Sequence, residues 1–450
     1  MRLILLGGIP LTQFFRRLAS AMAVAALLSA PAVQAAPRKA PAGTPEAVGF
    51  DSARLKRLDE AMAKVVADGR VSGMTTLLVR HGQVVDFKTY GKQDLATGAP
   101  MEKDTIFRIY SMTKPITGVA MMILFEEGKW KLDDPVTKFI PEFKNLKVMT
   151  GVDDKGNMIT VPAERPPTMR EIMSHTAGFG YGLGDKHPVD RMFREKRVLG
   201  ATGLNDMITR TADIPLMFQP GTAWSYSVSV DIQGAIVERI SGQTLGAFME
   251  ARIFRPLKMV DTGFYVPAGK TDRLATLYMT DPKTRQNALA TAIFDNPPPD
   301  YTKAPAMESG GGGLVSTTSD YGRFSQMLLN GGELDGARIL SPASVELMGT
   351  NVIPKSVLVT TNGTSGPRPG NEAVGFGLDF MVSIDPRAAG SLEGKNTMSW
   401  GGAAGTWFWV DPTNDLYFVG MVQRLGGTGG EDLGTAARTL TYQALVDPAK

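Results

Sequence analysis

The stretch 107–131, FRIYSMTKPITGVAMMILFEEGKWK, decides how the rest of the chain reads. Ile116, Val119, Met122 and Leu124 recur close to helical spacing, and Gly128 is placed to stop the helix. Pro115 fits only in a first helical turn, where its missing N–H costs nothing. The helix therefore opens at Ser111-Met112-Thr113-Lys114, an S-x-x-K. Ser111 stands at its entrance, with Lys114 one turn later on the same face. A serine there meets the positive end of the helix dipole, which favours an alkoxide or a neighbouring oxyanion. A lysine buried against apolar neighbours has a lowered pKa and can accept a proton. One helical turn thus spells an activated nucleophile. The pattern is weak alone, because a capping serine ahead of an exposed lysine has the same letters.

The rest of the chain must supply context. It has 450 residues, 43% hydrophobic and 21% charged, which suits a large globular core. The net charge of +3 comes entirely from Arg2, Arg16 and Arg17. Without them acids and bases balance, so the basic pI gives no argument for a nucleic-acid partner or an anionic membrane. Residues 1–35 contain no acid and read as an export signal. Arg16 and Arg17 precede an apolar run too short to span a bilayer comfortably, and Val33-Gln34-Ala35 is a small-residue cleavage site. The expected location is periplasmic or secreted, with no stable membrane span after the leader is removed. There is no cysteine, so disulfides and thiolate metal sites are excluded.

Residues 36–49 are rich in Ala and Pro and predict a loose linker. Asp51 caps a helix bearing Leu55, Leu58, Met62 and Val65, and residues 74–90 predict a hairpin turning at His81-Gly82. Asp133-Asp134-Pro135 reads as a cap and turn, not a metal pair. Thr168 caps a helix predicted to run to Ala177-Gly178, with His175 at its end bonding the last carbonyls. Residues 179–198 read as a loop that could cover a site. Phe218-Gln219-Pro220-Gly221 is a turn leading to Tyr226 and a helix over 230–240. Ser309-Gly310-Gly311-Gly312-Gly313 reads as a backbone bend into a helix capped by Thr318, and residues 351–373 as a mobile loop. The C-terminal third alternates strands and turns, closing with a helix over 432–445. The fold class is α+β. An antiparallel sheet is built from both chain ends with flanking helices (about 50–110 and 305–446), and a mostly helical part (about 111–304) is inserted between them.

In order and context these residues resemble the serine β-lactamase and penicillin-binding-protein superfamily, especially class C β-lactamases, and are most similar to family VIII carboxylesterases. Ser111-Met112-Thr113-Lys114 matches the nucleophile motif. Tyr226-Ser227-Val228 stands where the family has Y-x-N or, in the esterases, Y-S-x. Trp400-Gly401-Gly402 stands where lactamases have K-T-G and these esterases often have W-G-G. Leu132-Asp133-Asp134-Pro135, His175-Thr176-Ala177-Gly178 and the Pro-Gly-Thr before Tyr226 agree with it. The resemblance spans about residues 50–446 and implies a β-lactamase/transpeptidase-like fold. It implies Ser111 as nucleophile, Lys114 and Tyr226 as base and acid in an order left open, and an oxyanion hole from the backbone N–H groups of Ser111 and Ala403. Trp400, Gly401, Gly402 and Val228 would contact substrate. No metal or organic cofactor is implied.

Trp400 replaces a lactamase lysine that binds the drug's carboxylate, and Val228 replaces an asparagine. Both changes favour a neutral, apolar ester of short acyl chain. The competing readings are a β-lactamase or D-alanyl-D-alanine peptidase, an acyltransferase, and a ligand-binding homologue without turnover. An α/β-hydrolase is disfavoured, because no G-x-S-x-G occurs. Oligomeric state is not legible.

Overall fold

The computed structural model describes residues 43–184, 187–281, 283–284, 286–293, 298–358, 372–426 and 432–449. The leader expected over residues 1–35 lies outside them. Asp51 accepts from the Arg54 N–H and starts α1 (Ser52–Ala67). Strands β1 (Gly73–Arg80) and β2 (Gln83–Gly91) form the expected hairpin, with His81 and Gly82 both at positive φ in the turn. Three helices then matter for the site: α2 (Thr113–Glu126), α3 (Ser229–Ser241) and α4 (Thr318–Leu329). The C-terminal region adds β3 (Val374–Phe376), β4 (Met381–Ser383), β5 (Met398–Gly401), β6 (Trp407–Asp411), β7 (Leu416–Met421) and α5 (Leu433–Tyr442).

These strands form one seven-stranded antiparallel sheet in the order β3-β4-β5-β6-β7-β1-β2. Both chain ends therefore build it, as expected. The period-2 pattern sorts side chains onto its faces. Leu78, Trp409 and Phe418 pack with Leu58 and Met62 of α1 and Leu433 and Ala437 of α5. Leu77, Phe408 and Val419 point the other way, into a core shared with α4, α2 and α3 through Phe324, Ile116 and Ile236. The inserted segment thus packs on the sheet's inner face. It also carries two small hairpins, Lys147–Val152 with Met158–Pro162 and Tyr278–Thr280 with Asn287–Leu289.

Several local expectations need correction. Residues 43–49 are not a loose linker: Pro45–Val48 is a 3-10 turn with Val48 buried, and Arg80 fastens it. The helix capped by Thr168 has a full capping box with Glu171 but ends at Met173. His175 then adopts φ +59°, which no helix continues through. Segment 179–198 is not all loop, since it holds the helix Pro188–Glu195. Thr317, not Thr318, caps α4, because its side chain accepts from the Asp320 N–H. The last helix stops at Tyr442. Within 351–373, residues 355–358 are helical and 359–371 lie outside the described residues.

Arg80 ties the two ends together. Fully buried on β1, it donates to the carbonyls of Val48 (2.9 Å), Asn414 (2.9 Å), Asp447 (3.2 Å) and Pro448 (2.8 Å). Arg80→Met would leave these buried acceptors short of a donor. It should lower unfolding free energy by about 2–4 kcal/mol, read by thermal or urea denaturation, while leaving catalytic rates of the folded protein below its melting transition unchanged.

Candidate active site

Ser111 is delivered by a 3-10 turn, Tyr110–Met112, that runs straight into α2. Tyr110, just before it, sits at φ +42°, a left-handed conformation costly for a bulky residue. The short strand Phe107–Arg108 pairs with Val315–Ser316, and the Ile109 N–H donates to the Leu314 carbonyl at 3.1 Å. This ladder draws the Ser309–Gly313 run up against the start of α2. From the other side comes the end of β5. A Cβ built on Gly402 would lie 2.3 Å from the Ile109 carbonyl oxygen. Only glycine permits that approach, and the next residue, Ala403, lines the same cavity as Ser111.

Lys114 is fully buried one turn into α2. Its Nζ donates to the Gly311 carbonyl at 2.6 Å and to the Tyr181 hydroxyl at 2.9 Å, and lies 3.4 Å from Ser111 Oγ. Burial pushes its pKa down to about 7, against the opposing pull of Asp231 and Asp379. Tyr226 arrives from a separate turn before α3, and its hydroxyl donates to Ser111 Oγ at 2.6 Å. Burial raises its pKa, with smaller opposing effects from Ser111 and Trp400. The Lys114 ammonium stands 4.5 Å from the Tyr226 ring centroid, over its face, and not in a hydrogen bond with its oxygen. The structure therefore brings Ser111, Lys114 and Tyr226 together around one oxygen.

Aromatic packing holds Tyr226 in place. Tyr181, Trp400 and His175 surround its ring at centroid distances of 5.2, 5.5 and 5.0 Å. His175 does not bond helix-end carbonyls as expected. Its Nδ1 meets Ser227 Oγ at 2.9 Å and accepts from the Ser227 N–H at 3.2 Å, because the early helix stop turns it inward. Burial, then Lys114, holds its pKa well below the usual imidazole value.

The cavity over these groups has a volume of about 1500 Å³. Ser111, Tyr226, Trp400, Gly401, Gly402 and Ala403 line it, with Tyr110, Phe193, Tyr301 and Met307 among its apolar walls. Part of segment 179–198, expected as a loop that could cover a site, lines the cavity through residues 181–183, 193–195 and 197–198. Val228 does not line the cavity. Its N–H donates to the Gly180 carbonyl at the start of α3 and its side chain is fully buried in the main core. The expected substrate contact at Val228 is therefore wrong: its place in the motif is right, but the helix turn points it inward.

Three residues were missed in the sequence. Tyr181 and Asp231 belong to no local pattern, and Gly311 reads only as part of a bend. Asp231 Oδ1 accepts from the Gly311 N–H at 3.1 Å and from Ser309 Oγ at 2.5 Å. The available signal was the density of glycines in a loop destined to face a lysine. Among the described residues no group of three His, Asp or Glu is arranged to hold a metal ion.

The Beta-lactamase family model matches residues 58–443. An uncharacterized protein of Mycobacterium tuberculosis is 36% identical over 371 residues, covering 81% of this chain and 89% of that protein. Esterase EstB of Burkholderia gladioli is 30% identical over 381 residues, covering 82% and 90%. Among solved structures, EstCE1, titled a hydrolase with promiscuous acyltransferase activity, superposes with a TM-score of 0.71 at 25% identity, covering 87% of this chain and 99% of that one. Simvastatin synthase from Aspergillus terreus shares the fold, with a TM-score of 0.73 at 21% identity, covering 89% and 99%. The chain belongs to the Beta-lactamase family, with the β-lactamase/transpeptidase-like fold, and thereby to the serine β-lactamase and penicillin-binding-protein superfamily of serine hydrolases.

Proposed function

We propose that this protein hydrolyses carboxylic esters through an acyl-enzyme on Ser111. The observation that carries the reading is the Tyr226 hydroxyl 2.6 Å from Ser111 Oγ, with the buried Lys114 amine behind it, on the wall of an aromatic cavity. Esterase EstB and a fungal lovastatin esterase, 28% identical over 404 residues, support the ester class. A neutral Lys114 has two hydrogens and one electron pair. Both hydrogens are taken by Gly311 O and Tyr181 Oη, which leaves the pair for the Ser111 proton. Lys114 is the better base of the two candidates, since burial holds the Tyr226 phenol protonated. Ser111 Oγ attacks the ester carbonyl as its proton passes to Lys114. The N–H groups of Ser111 and Ala403 receive the oxyanion, each worth about 2.7–4 kcal/mol. The Tyr226 hydroxyl gives its proton to the departing alkoxide, and the phenolate recovers one from the Lys114 ammonium through a water that enters as the alcohol leaves. Water then repeats the sequence on the acyl-enzyme and releases the acid.

Ester preference over lactam now rests on Trp400 alone. Its indole offers no positive charge to a carboxylate, and it lines the cavity where a cation would be needed. Val228 has no part in it. The test pairs wild type with Ser111→Ala on p-nitrophenyl acetate to octanoate and on a chromogenic cephalosporin. Ester turnover should fall by about 10³-fold or more in the variant, and wild type should open the lactam slowly or not at all. Lactam opening faster than ester cleavage would overturn the ester assignment.

The base must be neutral to act. Rates should therefore fall as pH drops through about 7 and hold on the alkaline side, giving a kcat/KM profile with an acid limb near pH 7. A limb near pH 10 would exclude Lys114 in its buried form as the base.

We also propose export, on the strength of Arg16, Arg17, the apolar run after them and Val33-Gln34-Ala35. Among the described residues no helix is long and apolar enough to cross a membrane. Cell fractionation with N-terminal sequencing should find a mature chain beginning near residue 36 outside the cytoplasm. An intact Met1 in the cytoplasmic fraction would refute it.

A further inference from the structure

Asp231 lies five residues past Tyr226, in the first turn of α3, and is fully buried. Its Oδ1 takes the Ser309 hydroxyl at 2.5 Å and the Gly311 N–H at 3.1 Å, while its Oδ2 has no hydrogen-bond partner. The same Gly311 presents its carbonyl to Lys114 Nζ at 2.6 Å. One residue is therefore held by a carboxylate on its N–H side and by the lysine on its C=O side. There is no slack in this arrangement. A Cβ on Gly311 would lie 2.4 Å from Asp231 Oδ2 and 2.8 Å from Tyr181 Oη. Backbone dipoles placed between an anion and a cation are favourable to both, the more so out of water.

We propose that Asp231 is a positioning residue for the reaction: it fixes the Gly311 carbonyl against Lys114, and so keeps the Lys114 side chain oriented with its electron pair toward Ser111. This rests on reading Ser111 and Lys114 as nucleophile and base. Tyr226 and Asp231 then flank Lys114 from the two sides of one helix start, the phenol reaching the serine and the carboxylate reaching the lysine's acceptor.

The titratable groups around Lys114 are few. Asp231 comes from α3, Asp379 from the turn before β4, His175 and Tyr181 from the segment after the Thr168-capped helix, and Tyr226 from the turn before α3. Burial keeps His175 neutral and both phenols protonated. Asp379 is bonded by Gln233 Nε2 at 3.0 Å, and burial raises its pKa well above the usual range, which favours its neutral form. Burial raises the Asp231 carboxyl as well, but the Lys114 charge, the Ser309 hydroxyl and the Gly311 N–H all favour its ionised form, and Asp231 is the acid bonded to the residue whose carbonyl Lys114 uses.

The test reads the pH dependence of Ser111 phosphonylation by a fluorophosphonate, followed by intact mass on the purified protein. Asp231→Asn retains shape and an acceptor oxygen but removes the charge. Without the anion the Lys114 ammonium is less stable, so the acid limb should move to lower pH by about one unit. The rate above the limb should fall about tenfold, as the weakened base demands. Ser309→Ala, which removes a hydroxyl that favours the ionised carboxylate, should move the limb in the same direction by less. Asp379→Asn should move it less than Asp231→Asn. A purely structural role would slow labelling without displacing the limb, and a limb unmoved in Asp231→Asn overturns the proposal. If that variant does not fold, an unmoved limb in Ser309→Ala overturns it. Wild-type Ser111 that resists labelling at every pH would instead sink the underlying nucleophile assignment.

Discussion

Lys114 carries its amine to a fully buried position, and the surrounding structure is arranged to make that tolerable. An isolated ammonium moved out of water would cost several kcal/mol. Here the side chain finds a carbonyl, a phenol and a serine within reach, with two aromatic faces at 4.5 and 4.9 Å. The residual cost appears as basicity, because burial disfavours the charged form and leaves an amine able to take a proton near neutrality. The desolvation that makes Lys114 expensive to fold is also what suits it to the proposed role of base.

Those partners come from three distant parts of the chain. Tyr181 is 67 residues from Lys114 and Gly311 is 197. One small ladder and one close backbone pass assemble the site: Phe107–Arg108 on Val315–Ser316 brings up the glycine run, and Gly402 passing over Ile109 brings up the end of β5. The large sheet, closed by both chain ends and fastened at Arg80, is the rigid support for the second of these. The strained Tyr110 sits where they meet. A left-handed non-glycine costs about 1–2 kcal/mol, and the Tyr110 side chain is buried in a small cluster with Leu277, Ala404 and Leu425.

This division explains what could be read from sequence. Periodicity and capping gave α1, the β1–β2 hairpin, α2 and the presence of C-terminal strands, because each is decided by residues within a few positions of one another. Ser111, Lys114 and Tyr226 were legible because each sits beside a local landmark, a helix start or a turn. Tyr181, Asp231 and Gly311 were not, because their significance lies in contacts across long separations. Val228 shows a further limit: motif position fixes where a residue lies along the chain, but the 3.6-residue turn of α3 decides which way it points. His175 failed similarly. The helix it was expected to end stops at Met173, and a positive φ then swings the imidazole into the aromatic cluster around Tyr226.

One cation buried among two carboxylates has a further consequence for the chemistry. Lys114, Asp231 and Asp379 are all fully enclosed, and each carboxyl has one oxygen with no partner. Both acids are held above the usual carboxylate range by burial, while each is drawn back by the lysine's charge. In the proposed reaction, the charge that Lys114 gains with the Ser111 proton falls across Gly311 from the Asp231 carboxyl, a group already in place in the fold. Preorganised charge of that kind lowers the barrier at the step where charge appears. The carboxylate and the lysine are thus complementary halves of a single electrostatic device, with a glycine between them because nothing larger fits.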